Sequence, residues 1–177
     1  SNGLTDVFTL KLDASGNFIW ANSMGGIFEE QGRTIVNDAS GNLYLTGFFK
    51  NTVDFDPGAA TFNITSNGGD DCFVQKLDTD GNFIWANSMG SANDDFGIYM
   101  TKDASENLYV TGFFEGAVDF DPGASNLILI SNGLRDIFIQ KLDAGGNLIW
   151  AKSMGGAGND HGWSITTDAP GNVFVTG

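Results

Sequence analysis

The sequence has a single cysteine, Cys72. One thiol excludes an intrachain disulfide framework. Val7 and Ile137 stand at the corresponding places elsewhere in the chain, so Cys72 reads as a small core residue. Basic residues are scarce too: 8 Lys and Arg face 22 Asp and Glu, a formal net charge of −14. A field of that sign repels phosphate backbones and anionic lipid, so no nucleic acid and no membrane surface is expected as a partner. No run approaches the ~18 apolar residues of a membrane span, so no membrane insertion is expected. His161 is the one histidine, and without a second His or paired Cys a transition-metal centre has no ligand set. No segment holds a helical apolar period over a helical length. The first residues carry no basic stretch followed by an apolar one, so no secretory leader is expected among them. A targeting segment is expected in the remainder of a longer protein.

Glycine and phenylalanine are plentiful, at 25 and 15 residues, and 41% of the chain is hydrophobic. Abundant Gly mixed with β-branched and aromatic residues points to many tight turns between strands. The tryptophans give the organisation. Trp20, Trp85 and Trp150 are spaced by 65 residues, within KLDASGNFIWANSMG, KLDTDGNFIWANSMG and KLDAGGNLIWAKSMG. The blocks beginning at Asp38, Asp103 and Asp168 keep the same offset, as do the Ser-Asn-Gly openings at Ser1, Ser66 and Ser131. The chain reads as one repeat array with units 1–65, 66–130 and a shortened 131–177.

Within a unit, strands are expected at Asp71–Leu77, Phe83–Met89, Ile98–Lys102 and Leu108–Phe114, with a further short strand at Leu127–Ile130 after an Asp-Pro-Gly turn. LYLTGFF and FIWANSM carry bulky groups at odd and even positions, so both are expected to be buried on two faces. A small antiparallel sheet repeated at fixed length and covered on both sides is what a β-propeller blade requires. The fold expected is all-β: blades of four antiparallel strands with Ile98–Lys102 innermost, then Leu108–Phe114, then 136–142, then 148–154. The chain would start and end inside a blade, giving about three blades' worth of strands. Propellers close with roughly four to eight blades. The chain is therefore expected to be a segment of a larger propeller or to be completed by other copies of itself, and not to be a lone monomer.

The segments Asp38–Gly47, Phe8–Trp20 and Ser23–Gly26, with their counterparts further on, form a pattern that resembles the bacterial SBBP (seven-bladed β-propeller) repeat. The resemblance covers essentially the whole chain. It implies a propeller within large, secreted or cell-surface bacterial proteins, often beside adhesin-like domains, whose members mostly have no assigned enzymatic role. The long Val-Asp-Phe-Asp-Pro-Gly stretch is a departure from the short family core.

Several constellations could carry chemistry. Asp78-Thr79-Asp80-Gly81-Asn82 resembles calcium-loop text, but its counterparts at Asp13 and Asp143 have Ser15 and Gly145 at the second acid's place, which favours a turn closed by the first Asp. Asp54 with Asp56, and Asp119 with Asp121, recur in both complete units. Residues two apart in a strand share a side, so each pair reads either as a Ca2+ site or as a turn in which Asp56 and Asp121 cap the Pro-Gly step while Asp54 and Asp119 sit in solvent. Glu30, Asp95 and Asp160 share one position ahead of the innermost strand and read as turn caps. Trp20, Trp85, Trp150, Phe48, Phe49, Phe113 and Phe114 read as packing between blades, or as stacking platforms for carbohydrate. Acids kept in every unit look architectural, since an active site usually breaks repeat symmetry; only Arg33, His161 and Trp163 do so visibly. The function expected is a non-catalytic scaffold or protein-interaction module. The alternatives are a lectin-like carbohydrate module and a glycan-active hydrolase.

Overall fold

The computed structural model describes residues 3–177. Ser1 and Asn2, which begin the first Ser-Asn-Gly opening, lie outside them. Among the described residues there are strands and turns and no helix, hence none long and apolar enough to cross a membrane. β1 (Val7–Leu12) pairs with β2 (Phe18–Met24). β3 (Gln31–Asn37), β4 (Leu43–Asp54), β5 (Asn63–Leu77) and β6 (Phe83–Met89) form a four-stranded sheet in chain order. β7 (Phe96–Lys102), β8 (Leu108–Asp119), β9 (Ile128–Leu142) and β10 (Leu148–Met154) form a second. β11 (Ser164–Thr167) pairs with β12 (Val173–Thr176). Every pairing between these strands is antiparallel.

The expected strand order within a sheet holds, with β7, β8, β9 and β10 running side by side. Two details differ from the sequence reading. Leu127–Ile130 is not a strand of its own. Ile128–Ile130 is the first part of β9, a continuous strand of 15 residues, and β8 runs through to Asp119 to meet it. The Asp-Pro-Gly turn is thus the tip of a long hairpin. A bulge interrupts that hairpin between Glu115 and Ala117, and between Lys50 and Thr52 in the other sheet. The bulged residues Gly116 and Asn51 take φ of 80° and 58°. Their unpaired NH groups donate to Ser131 Oγ and Ser66 Oγ, both at 2.9 Å. The Ser-Asn-Gly opening is the cap of a bulge within a strand, not a boundary between strands.

The second difference is burial. LYLTGFF of β4 and LYVTGFF of β8 are buried on both faces, as expected. FIWANSM of β2 and β6 is not, because the outermost strand has no sheet beyond it. Ile19, Ile84 and Ile149 point outward and stay exposed.

The innermost strands lie next to one another: β7 touches β3 and β4, and β11 touches β7 and β8. Thr34 Oγ1 donates to Ile98 O at 3.0 Å across that contact, and Gly162 N to Gly112 O at 3.1 Å. The approach requires glycine. A Cβ on Gly97 would collide with Thr46 Oγ1 and lie 2.6 Å from Cys72 Sγ. One apolar core, containing Tyr44, Cys72, Met100, Phe114 and Phe138, fills the space between the two four-stranded sheets. Burial pushes the Cys72 thiol up, so it stays protonated within that core.

Candidate functional site

Six turns share one construction, at Asp13, Asp38, Asp78, Asp103, Asp143 and Asp168. In each the Asp backbone NH and the Asn carbonyl four residues on close the turn. In the Asp78 turn, Oδ1 accepts from Asp80 N and Asn82 N at 2.8 Å, and Oδ2 accepts from Asn82 Nδ2 at 2.8 Å. Gly81 supplies the positive φ, 85°. Asp80, the acid that gave this copy its calcium-loop look, enters the turn through its backbone NH. Hydrogen bonds from Asn82 hold the Asp78 carboxyl below its ordinary range. At Asp103 burial pushes the carboxyl up, but Asn107 and Tyr109 outweigh it and hold it at about 2.

The structure brings Asp54 close to Asp56 and Asp119 close to Asp121, and turns their carboxylates onto the main chain. Asp54 Oδ1 accepts from Asp56 N at 3.0 Å and Phe62 N at 2.8 Å, while Asp56 Oδ1 accepts from Gly58 N at 2.7 Å. The second copy repeats this with Asp121 N, Leu127 N and Gly123 N. Among the described residues, no three His, Cys, Asp or Glu side chains gather into a group that could hold a metal ion.

Glu30, Asp95 and Asp160 cap the loops ahead of the innermost strands. Their carboxylates accept from Gly26 N at 2.9 Å, Ser91 N at 2.6 Å and Gly156 N at 2.7 Å. Asp95 reaches further, to Glu115 N at 2.9 Å, tying its loop to β8. Beside these caps lie two acids that sequence reasoning missed. Asp71 and Asp136 are fully buried, and their Oδ2 atoms accept from Asn67 N and Asn132 N, both at 3.1 Å. Oδ1 of each is buried with no hydrogen-bond partner among the described residues. Burial drives the Asp71 carboxyl up to about 7, with the nearby Asp95 charge adding to it; burial likewise lifts Asp95 to about 6. The signal was in the sequence: Asp6, Asp71 and Asp136 recur at one position, each five residues after the Ser of an Ser-Asn-Gly opening.

The tryptophans work between sheets. Trp20 lies over the turn of the next sheet, where its Nε1 donates to Thr79 O at 3.3 Å and its ring meets Gly81. Lys11 Nζ donates to the same carbonyl at 2.6 Å, and Asn22 Nδ2 donates to Gly81 O at 2.7 Å. One unit later, Lys76 donates to Ala144 O at 3.2 Å, Asn87 to Gly146 O at 3.0 Å, and the Trp85 ring meets Gly146. Lys, Trp and Asn on one outer hairpin thus clasp the turn of the following one.

Phe48, Phe49, Phe113 and Phe114 are all buried, so none offers an open stacking face. The residues that break the repeat meet at one end of the innermost strands. Phe48, Phe96 and Phe113 stack in sequence at 4.0 and 4.8 Å, His161 packs on Phe113 at 4.6 Å, and Trp163 adjoins His161 at 5.5 Å. Arg33 lies over Phe48 and Arg135 over Phe113. Trp163 is exposed.

Repeated four-stranded antiparallel sheets with adjacent innermost strands are the observation that decides the architecture. The chain is propeller-like. An uncharacterized WD repeat-containing protein of Acanthamoeba polyphaga mimivirus is 28% identical over 182 residues, 90% of this chain and 13% of that protein. The regulatory protein FlaEY of Caulobacter vibrioides is 25% identical over 124 residues, 68% of this chain and 13% of that protein. The chain therefore spans about one eighth of the length of either relative. No family model matches the chain. The mimiviral relative, named for WD repeats, agrees with a propeller-type repeat, and neither relative bears on the SBBP class in particular.

Proposed function

We propose that the chain is a non-catalytic propeller-type scaffold, a protein-interaction module carrying about three blades' worth of strands within an exported bacterial surface protein or assembly. The observation that carries the reading is the use of its repeated acids. Carboxylates that could act as a general acid, base or nucleophile instead hold backbone NH groups of their own turns and loops. The mimiviral relative, named for WD repeats, supports a scaffold built from propeller units. Placement at the bacterial surface rests on the SBBP-type resemblance.

The test is a hydrolase panel covering α- and β-linked glycosides, with Asp71→Asn and Asp95→Asn beside the native chain. The reading expects no turnover from any of the three. Turnover by the native chain that Asp71→Asn or Asp95→Asn abolishes would overturn it. Exposed Trp163 beside His161 keeps a lectin-like reading in view. A glycan array answers it: binding lost in Trp163→Ala would favour the lectin, and an array without signal would remove it.

A further inference from the structure

A cleft of about 300 Å3 lies between the first outer hairpin and the sheet that follows it. Asn22 of β2, Asp56 of the Asp-Pro-Gly tip, and Asp80, Asn82 and Phe83 of the β5–β6 hairpin line it. Phe62, 41% exposed, stacks on Phe83 at 4.7 Å. The side-chain donors of the cleft are already used. Asn22 Nδ2 donates to Gly81 O at 2.7 Å, and Asn82 Nδ2 to Asp78 Oδ2 at 2.8 Å. Acceptors are what remain. Asp56 commits Oδ1 to Gly58 N and keeps Oδ2. Asp80 enters its turn through its NH, and its carboxylate has no hydrogen-bond or ion-pair partner among the described residues.

We propose that this cleft receives a lysine side chain of a partner protein. The proposal rests on the protein-interaction scaffold reading and gives the partner a chemistry. A cavity that offers acceptors and an aromatic ring, in a chain of net charge −14, suits a cation rich in donors. An ammonium carries three donors at one point and meets acceptors placed around it, whereas a guanidinium presents a flat fork. Calcium would need six to eight oxygens and would leave the ring unused. The chain shows the same recognition within itself. Lys76 Nζ lies 4.8 Å from the centre of the Tyr44 ring and 4.0 Å from Asp38. Lys141 Nζ lies 4.8 Å from the centre of the Tyr109 ring and 3.4 Å from Asp103. Ring, carboxylate and ammonium make up each group, and the cleft presents the first two.

The repeat carries an independent argument. One unit on, Asn87 and Asp121 keep the places of Asn22 and Asp56, but Gly145 stands for Asp80, Leu127 for Phe62 and Leu148 for Phe83. The sheet of that unit pairs in the same register without them. The second acid and the paired rings are therefore not required by the fold, and they occur together at the one cleft they line or back.

The test is an NMR titration of the isotope-labelled chain with the capped peptide acetyl-Gly-Ser-Lys-Ser-Gly-amide. The amide signals of Gly81, Asn82 and Phe83 are expected to shift, and those of Gly146, Asn147 and Leu148 to stay. Asp80→Gly and Phe83→Leu each install what the next unit already carries, so both should keep the fold by circular dichroism. Each should weaken binding roughly fivefold. Acetylation of the lysine Nε should abolish the shifts. Butylammonium should bind more weakly than the peptide, because it brings no main chain to rest on the Asp-Pro-Gly tip. No shift at millimolar peptide, equal shifts at both turns, or binding indifferent to Asp80→Gly or to Nε-acetylation would each overturn the proposal. So would arginine in place of lysine, or butylammonium in place of the peptide, binding as tightly. Turnover in the hydrolase panel would sink the scaffold reading and leave these titrations unchanged, so the two fail separately.

Discussion

Asp103 and Asp71 are the same residue type a few strands apart, and their surroundings drive their protons in opposite directions. Asp103 closes a turn at a sheet end. Ser105 N and Asn107 N donate to its Oδ1, Asn107 Nδ2 and the Tyr109 hydroxyl to its Oδ2, and Lys141 lies beside it. Asp71 sits fully buried beside Gly90 with one oxygen served by Asn67 and the other by nothing described. The difference teaches that an acid repeated in every unit can be held as an anion in one place and kept as an acid in another. Donor count decides which: each NH or OH aimed at a carboxylate favours the charge, and burial without donors disfavours it.

Removing the well-served carboxylate should have the largest effect. Asp103→Ala strips several hydrogen bonds at ~1 kcal/mol each, discounted because the turn is partly open to water, for a loss of about 2 kcal/mol in urea unfolding. Asp13→Ala, in the same turn with no Tyr or Lys upon it, should lose less. Equal losses would show that Tyr109 and Lys141 add nothing.

The pH profile comes next. Asp103 is lowered to about 2, so its contribution is present above the ordinary carboxylate range near 4 and is lost as pH falls toward 2. Asp71 and Asp95 are raised to about 7 and 6, so theirs is present below that range and is lost as pH rises through 6 and 7. Stability should therefore be greatest near pH 4, fall as pH rises through 6 and 7, and level off by pH 8. Asp71→Asn cannot ionise. Three units at ~1.4 kcal/mol each, reduced by relaxation, make it roughly 2 kcal/mol more stable than the native chain at pH 8. At pH 3.5, below the ordinary carboxylate value, the gain should vanish. A gain of equal size at both pH values would mean that charge is not the cause.

Half of this contrast was legible in the sequence. The Asp-to-Asn turns follow from local chemistry: an Asp, a residue able to take positive φ and an Asn within five positions close on themselves wherever they stand. The strand order followed from the period, because a unit of 65 residues that must bury LYLTGFF on both faces has few arrangements open to it. Asp71 was not legible in that way. Its character comes from β6 and the Gly90 loop closing over it, contacts made across the sheet. The Ser66 cap was hidden for the same reason, since the bulge it serves at Asn51 is 15 residues away in the paired strand. The clasp of Trp20 on Gly81 spans two sheets, and the repeat alone announced Trp20 without saying what it touched.

Glu106 tests the turns at smaller scale. It stands where the other five turns have Gly, and it takes φ of 64°. A left-handed conformation costs an L-residue roughly 1–2 kcal/mol. Its carboxylate recovers part of this through Lys102 at 2.7 Å, a partly exposed pair worth under ~1 kcal/mol. Glu106→Gly should then raise stability by about 0.5 kcal/mol, and by more at high salt, where the ion pair is screened. A loss would place the ion pair above the strain.

The smallest effect concerns calcium. A Ca2+ site takes six to eight oxygens, with carboxylates free to turn toward the ion. At Asp54 and Asp119 one oxygen already accepts two backbone NH groups, and Asp56 and Asp121 each cap the next turn residue. Binding an ion through these oxygens would give up the hydrogen bonds that shape the hairpin tip. The melting midpoint is therefore expected to be the same in millimolar calcium and in chelator. A midpoint several degrees higher in calcium, abolished by Asp54→Asn with Asp119→Asn, would reassign these four acids from turn caps to ligands.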